Sequence, residues 1–274
     1  MIAPDTDWSR AILAQLRREL RRSEPHQPEF AVLERFRDKP GLFVDVGANL
    51  GQSIATLRLY STAMRAVCFE PLPWLEPALA ELQRLEFIDA YHIVALGDRS
   101  VGTVPLVVPW VDDVPLLTRA TRHDAKFVDT TYQDALRRLA NRPEGTVRRE
   151  RVEVRCARLD DFALAPTILK VDVEGDELAV LRGAAGTINA HRPPVLMEPS
   201  RDRQEIAEFM RILDYAGYRW AVGNLIPWDG GPAENVWFES EGRSRRSRVD
   251  LSSCAHPGGD QPPKETRPAA ATPA

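Results

Sequence analysis

The sequence predicts an open α/β fold around a mostly parallel sheet, and three observations carry that prediction. A short apolar run (Leu42, Phe43, Val44, Val46) ends in the tight turn Gly47-Ala48-Asn49-Leu50-Gly51, and a helical pattern follows at once. Strand-like and helix-like segments alternate through residues 41–100 and again from 167 to 216, the pattern of parallel strands joined by crossover helices. Two last strand-like runs, 218–222 and 235–239, have no helix between them and predict an antiparallel closing pair.

The elements follow in order. Residues 7–22 place Trp8, Ile12, Leu13, Leu16 and Leu20 at helical spacing, and Pro25 and Pro28 end that helix. A second short helix is expected over 29–37, so residues 1–40 read as a helical lead-in packed on the sheet. Then come strand 42–46, helix 52–60, strand 66–70, helix 74–86 and strand 91–96. Residues 101–158 break the rhythm. Val104, Leu106 and Val108 alternate as a strand, 133–140 looks helical, and Arg151–Arg155 alternates again. This reads as a partly β insertion over the carboxyl edge of the sheet, where loops set specificity in open α/β folds. The rhythm returns with strand 167–173, helix 176–188, strand 195–198 and a helix over 204–216 stopped by Gly217. From about 241 Arg, Ser, Pro, Gly and Ala dominate, a composition that predicts a disordered tail over 241–274.

Composition narrows the function classes. The chain has 274 residues, 43% hydrophobic and 28% charged, which suits a globular protein with a sizeable core. A formal net charge of −4 argues against nucleic acid or an anionic membrane as the main partner. Cys68, Cys156 and Cys254 are odd in number and show no metal-ligand spacing, so neither disulfides nor a zinc site is expected. The polar start of the chain and the absence of a long apolar run predict no signal peptide and no membrane span. A cytoplasmic location is the expectation.

The turn after the first strand delivers backbone to a helix N-terminus, the place where open α/β sheets bind ligands. An acid, Glu70, ends the next strand at roughly the 20-residue distance that a ribose-binding carboxylate requires. The turn reads G-x-N-x-G, with Asn49 and Gln52 where a dinucleotide fingerprint has its later glycines. It therefore suits an adenosyl ligand without phosphates better than a nicotinamide dinucleotide.

The local sequences resemble the FkbM-type methyltransferases. The resemblance rests on Phe43-Val44-Asp45-Val46-Gly47-Ala48-Asn49-Leu50-Gly51, Phe69-Glu70-Pro71 and Val94-Ala95-Leu96-Gly97-Asp98. It continues through Leu159-Asp160-Asp161-Phe162, Leu169-Lys170-Val171-Asp172-Val173-Glu174-Gly175 and Gly183-Ala184, in order from about 41 to 240. It implies a class I methyltransferase (Rossmann-like) fold, S-adenosylmethionine as donor, and a hydroxyl acceptor on a sugar or secondary metabolite. By the same resemblance Asp45, Gly47, Asn49 and Gly51 form the turn against the methionine and ribose, Glu70 takes the ribose hydroxyls, and Asp98 is the adenine-side acid.

Strand periodicity would put Lys170, Asp172 and Glu174 on one face at the end of a central strand. Methyl transfer to oxygen needs an aligned hydroxyl and a base, which Asp172 or Glu174 could supply. Alternatively Asp172 with Glu198, at the end of the next strand, could hold Mg²⁺. A purely structural reading also stands, with Glu174 capping the helix near Gly175 and Lys170 paired to Asp172. His123 is the histidine best placed for catalysis, because its region should overhang the acceptor, whereas His92 and His191 read as structural. Trp110, Tyr132 and Trp228 could line an acceptor site, though packing explains each more simply. Two rivals remain at this point, a nicotinamide-dependent oxidoreductase and a non-catalytic cofactor-binding scaffold.

Overall fold

The computed structural model describes residues 6–241, apart from 101, 200, 201 and 222. The side chain of Trp8, Cys254 and the tail from 242 lie outside the described residues. Helix α1 (Thr6–Glu19) and a 3-10 segment (Pro28–Phe36) lead into β1 (Gly41–Val46), α2 (Gln52–Tyr60), β2 (Met64–Glu70), α3 (Glu76–Arg84) and β3 (Ala90–Ile93). Next come β4 (Ala95–Leu96), β5 (Thr103–Val111), β6 (Val114–Pro115), α4 (Thr130–Leu139) and β7 (Val147–Ala157). The chain continues through β8 (Ile168–Val171), α5 (Glu177–Gly183), α6 (Ala185–His191), β9 (Val195–Met197) and α7 (Arg203–Ile212). It ends in β10 (Tyr215–Ala221), β11 (Asn224–Pro227) and β12 (Val236–Ser240).

Eight strands form the main sheet in the order β11-β10-β12-β9-β8-β1-β2-β3. Strands β3, β2, β1, β8 and β9 run parallel, and β12 inserts antiparallel between β9 and β10. The order reverses direction from β1, so the crevice above β1 and β8 is the topological switch point where such sheets take ligands. Strand β1 shows why two helical layers are needed. Phe43 faces a core shared with Ile12, Leu16, Ile54, Leu57 and Leu79, whereas Val44 and Val46 face one shared with Leu181, Ile188, Ile206 and Met210. Period-two alternation thus makes both faces apolar, and both must be covered. A second sheet, β4-β7-β5-β6, is built mostly from residues 103–157.

Several local expectations are corrected. Strand β8 stops at Val171, before Asp172, and Glu174 sits in the left-handed region at φ +58°. The strand period therefore does not set the directions of Asp172 and Glu174; a tight turn does. The helix expected over 176–188 breaks at Ala184 into α5 and α6. Gly217 does not stop α7, which ends at Ile212, because Asp214 takes φ +58° and Gly217 already lies inside β10. A Cβ there would press on the rings of Trp228 and Phe238 at 3.0 and 3.1 Å. The third strand divides at Val94, so that Ala95–Leu96 leaves the main sheet and pairs with β7. Among the described residues no helix is long and apolar enough to cross a membrane.

Candidate active site

A cleft of about 360 Å³ opens above the carboxyl ends of β1, β2 and β8. Its floor is the turn after β1. Gly47 adopts φ +78°, and a Cβ there would lie 1.7 Å from the Asp172 carbonyl oxygen, so only glycine lets the two turns touch. The Gly47 and Ala48 amides donate to the Phe69 carbonyl at 2.9 and 3.0 Å. Asn49, also at positive φ, accepts on its own side-chain oxygen from the Leu50 amide (2.8 Å). Gly51 takes φ +85° against Leu82, which leaves the N-terminus of α2 open above the turn.

Glu70 fixes the rim. One carboxylate oxygen accepts from the Asn49 amide and the other from the Leu72 amide, both at 2.9 Å, so each keeps a lone pair for a further donor. Burial pushes its pKa up to about 7, against the pull of those two amides and of Lys170. Beneath the turn Lys170 donates to the Gly47 carbonyl (2.8 Å) and lies 3.0 Å from Asp45 Oδ1 and 3.6 Å from Asp172 Oδ2. Burial alone would lower the Lys170 pKa; the attraction of Asp45 and Asp172 outweighs it and leaves the ammonium firmly protonated. Asp45 is fully buried, and the Lys170 contact is a charge pairing rather than an aligned hydrogen bond. Burial raises its pKa and Lys170 opposes that rise.

The far wall carries Arg119, Asp172, Glu174 and Glu198. Arg119 donates to Glu174 Oε1 at 2.9 Å, and Lys126 lies 3.8 Å from Oε2. Burial raises the Glu174 pKa while Arg119 lowers it. The carboxylate of Glu198 has no hydrogen-bond or ion-pair partner among the described residues. Burial, then repulsion from Asp172, Glu174 and Glu177, pushes its pKa up to about 7. No group of three His, Cys, Asp or Glu side chains among the described residues could hold a metal. Asp172 also sits beside an ammonium, so the structure does not support the expected Mg²⁺ at Asp172 and Glu198.

The cleft thus gathers Gly47, Asn49, Glu70, Asp172, Glu174 and Glu198 from the predicted set. Asp45 and Gly51 lie beneath or behind the turn rather than in its lining. Asp98 is outside the lining and pairs loosely with Arg99 (3.6 Å). His123 is also outside it; Nε2 lies 2.9 Å from the Gly175 carbonyl and 3.5 Å from Asp176. Trp110, Tyr132 and Trp228 pack elsewhere, against Arg148, Phe127 and Phe238. Sequence reasoning missed several residues, among them Arg119, which holds Glu174. Glu177, buried in the first turn of α5, accepts from the Gly175 amide (2.9 Å) and so ties down the turn before the helix, whose N-cap, Asp176, makes no side-chain capping bond. Gln15 and His26 reach the cleft from the lead-in, and no local spacing announces that.

The family model of the methyltransferase FkbM domain matches residues 45–220, more than half of the chain. The chain belongs to the FkbM methyltransferase family. Among curated proteins no sequence relative is found. Solved structures that resemble this FkbM-family chain are distant. An FkbM methyltransferase from Methylobacillus flagellatus KT is 16% identical with a TM-score of 0.43, covering 73% of this chain and 43% of that one. The chain therefore spans less than half the length of that protein. An rRNA methylase from Streptococcus thermophilus is 11% identical (TM-score 0.40, 79% and 96% covered). A SAM-dependent O-methyltransferase from Thermotoga maritima is 10% identical (TM-score 0.36, 77% and 62% covered).

Proposed function

We propose that this chain transfers a methyl group from S-adenosylmethionine to a hydroxyl of a small-molecule acceptor. The observation that carries the reading is convergence: the glycine turn, the buried Glu70 and the Asp172–Glu198 pair all line one cleft at the switch point. The residues fit the donor. Glu70 has a free acceptor lone pair on each oxygen for two ribose hydroxyls, and the Gly47 approach keeps the floor free of side chains. When bound, the donor supplies an electrophilic methyl on a cationic sulfur that leaves as a neutral thioether, so no acid is needed for departure.

What remains for the protein is alignment, exclusion of water and removal of one proton. Asp172 and Glu198 take that proton in this reading. Burial and the neighbouring Asp172 carboxylate raise the affinity of Glu198 for it, and a base is most effective when its pKa lies near the working pH. Glu174, engaged by Arg119 and Lys126, fixes the wall instead. His123 positions the 172–176 turn through the Gly175 carbonyl. The acidic far wall and the net charge of −4 favour a small molecule over nucleic acid.

Titration calorimetry with S-adenosylhomocysteine tests the donor site. Wild type should bind, and Glu70→Ala should bind about 10- to 100-fold more weakly, the loss of two hydrogen bonds to a charged acceptor. Binding of NAD in place of S-adenosylhomocysteine by well-folded wild type would overturn the reading.

A further inference from the structure

The family match begins at residue 45, yet the cleft does not. Gln15 of α1 and His26 and Gln27 of the segment after it line the same cavity as Glu70 and Asp172. Two of the three are pinned. The His26 backbone amide donates to Thr56 Oγ1 (3.2 Å), and its Nδ1 lies 2.8 Å from the same hydroxyl. Thr56 can then donate to Nδ1, which leaves the ring proton on Nε2. The ring also packs on Phe30 at 4.2 Å. Gln27 Oε1 accepts from Asn235 Nδ2 (3.0 Å), so its amide nitrogen keeps both donors for other partners.

The wall shares its cavity with Asp172, Glu174 and Glu198. Burial first, then Lys170, lowers the His26 pKa to about 4, and Asp172 opposes the shift. The imidazole is therefore neutral. Gln15, His26 and Gln27 are all uncharged; the two amides can donate and accept, and the Nε2–H of His26 can donate. The charged groups opposite are largely answered by one another: Glu174 by Arg119 and Lys126, Asp172 by Lys170. Apart from His26, no aromatic residue is among the lining, so a flat acceptor has no wall on which to stack.

We propose that Gln15, His26 and Gln27 are the acceptor-recognition wall, and that they hold the non-reacting hydroxyls of an uncharged, polyhydroxylated acceptor while Asp172 and Glu198 face the hydroxyl that reacts. This rests on the methyltransferase reading and adds to it the residues, outside the family-matched segment, that choose the substrate.

The experiment uses the full chain saturated with S-adenosylhomocysteine, and measures by saturation-transfer NMR the binding of methyl α-glucopyranoside, glucose 6-phosphate and glucosamine. The neutral glycoside should bind in the millimolar range, more tightly than either charged sugar. In Gln15→Ala, Gln27→Ala its affinity should fall about tenfold, as expected for one or two lost hydrogen bonds, with S-adenosylhomocysteine affinity kept. A second variant, Gln15→Glu, should shift the preference towards glucosamine, which covers the case in which the double variant unfolds. No glycoside binding by loaded wild type, equal or tighter binding of a charged sugar, or unchanged affinity and preference in the variants would each overturn the proposal. Failure of wild type to bind S-adenosylhomocysteine at all would instead overturn the methyltransferase reading.

Discussion

At the Glu70 end of the cleft, the lining comes from residues 47–71, and its turn is held by backbone bonds to Phe69, by the Glu70 carboxylate and by Lys170. At the Asp172 end the lining is made of side chains drawn from the lead-in, from the segment 117–120 and from the ends of β8 and β9. The first arrangement fixes its geometry by sterics and buried charge, so small changes are costly. The second depends on half-exposed ion pairs and amides, which can be exchanged without unfolding the chain. In the proposed reading the first half holds a fixed donor and the second a variable acceptor, and that division follows.

The sharpest break of the comparison is at Lys170, which lies under the rigid half. Lys170→Met leaves the fully buried Asp45 without its cation and should cost about 3–5 kcal/mol, the usual penalty for orphaning a buried charge. Urea denaturation measures it, and Asp45→Asn, Lys170→Met should recover most of the loss. A single-variant cost near that of a surface ion pair would show that the turn is not supported from below.

Next is Gly47→Ala. The positive φ alone costs on the order of 1–3 kcal/mol, and the Asp172 carbonyl in the path of the methyl forces the two turns apart. Both stability and S-adenosylhomocysteine affinity should drop, because one atom serves both. Intact binding with lost stability would separate floor from site.

The Glu70 end was legible in the sequence because its logic is local. The turn, its glycines and Glu70 lie within one βα unit, and β1, α2 and β2 start and stop within about two residues of where periodicity puts them, the ordinary uncertainty of an element end. The Asp172 end was only half legible. Asp172, Glu174 and Glu198 were visible as acids at strand ends, but their directions were not, because β8 stops at Val171 and Glu174 turns into the left-handed region. The buried Glu177 at N1 of α5 carried a weak signal, an acid in the first helical turn beside Gly175. His26 carried none. Its role follows from a contact with Thr56 across 30 residues, and tertiary placement of that kind leaves no mark on spacing.

A pH series sharpens the comparison from the other side, with an effect of about tenfold. Glu70 must be ionised to accept two hydroxyls, and its pKa stands at about 7. S-adenosylhomocysteine affinity should therefore weaken about tenfold between pH 8 and pH 6, following the loss of the ionised form. Stability of the free protein should move the opposite way. Between the ordinary carboxylate range, about 4.5, and 7 the folded state keeps protons on Glu70 and Glu198 that the unfolded chain has released. With more protons bound folded than unfolded, stability falls as pH rises through that window and the penalty is complete above it. Thermal melts with and without ligand read both signs in one experiment, and parallel trends would refute the assignment to Glu70.

The smallest effect belongs to the contact between the far wall and the 172–176 turn. Arg119→Ala removes a salt bridge whose arginine side chain is 41% exposed, so the stability cost should be under about 1 kcal/mol. Its consequence is electrostatic. Glu174 keeps Lys126 at 3.8 Å, while its backbone carbonyl still accepts from Thr121 Oγ1 (2.9 Å) and Lys126 Nζ (3.1 Å), so the turn stays docked. What changes is charge: Glu174 loses one of its two cations, so its repulsion on Glu198 is offset less. Loss of Arg119 should therefore raise the Glu198 pKa further, since Arg119 lowers it. NMR titration of the Glu198 carboxyl reads that shift directly. Donor affinity, set at the other end of the cleft, should not change; if it did, the two halves would be coupled and the division between a rigid donor floor and an exchangeable acceptor wall would fail.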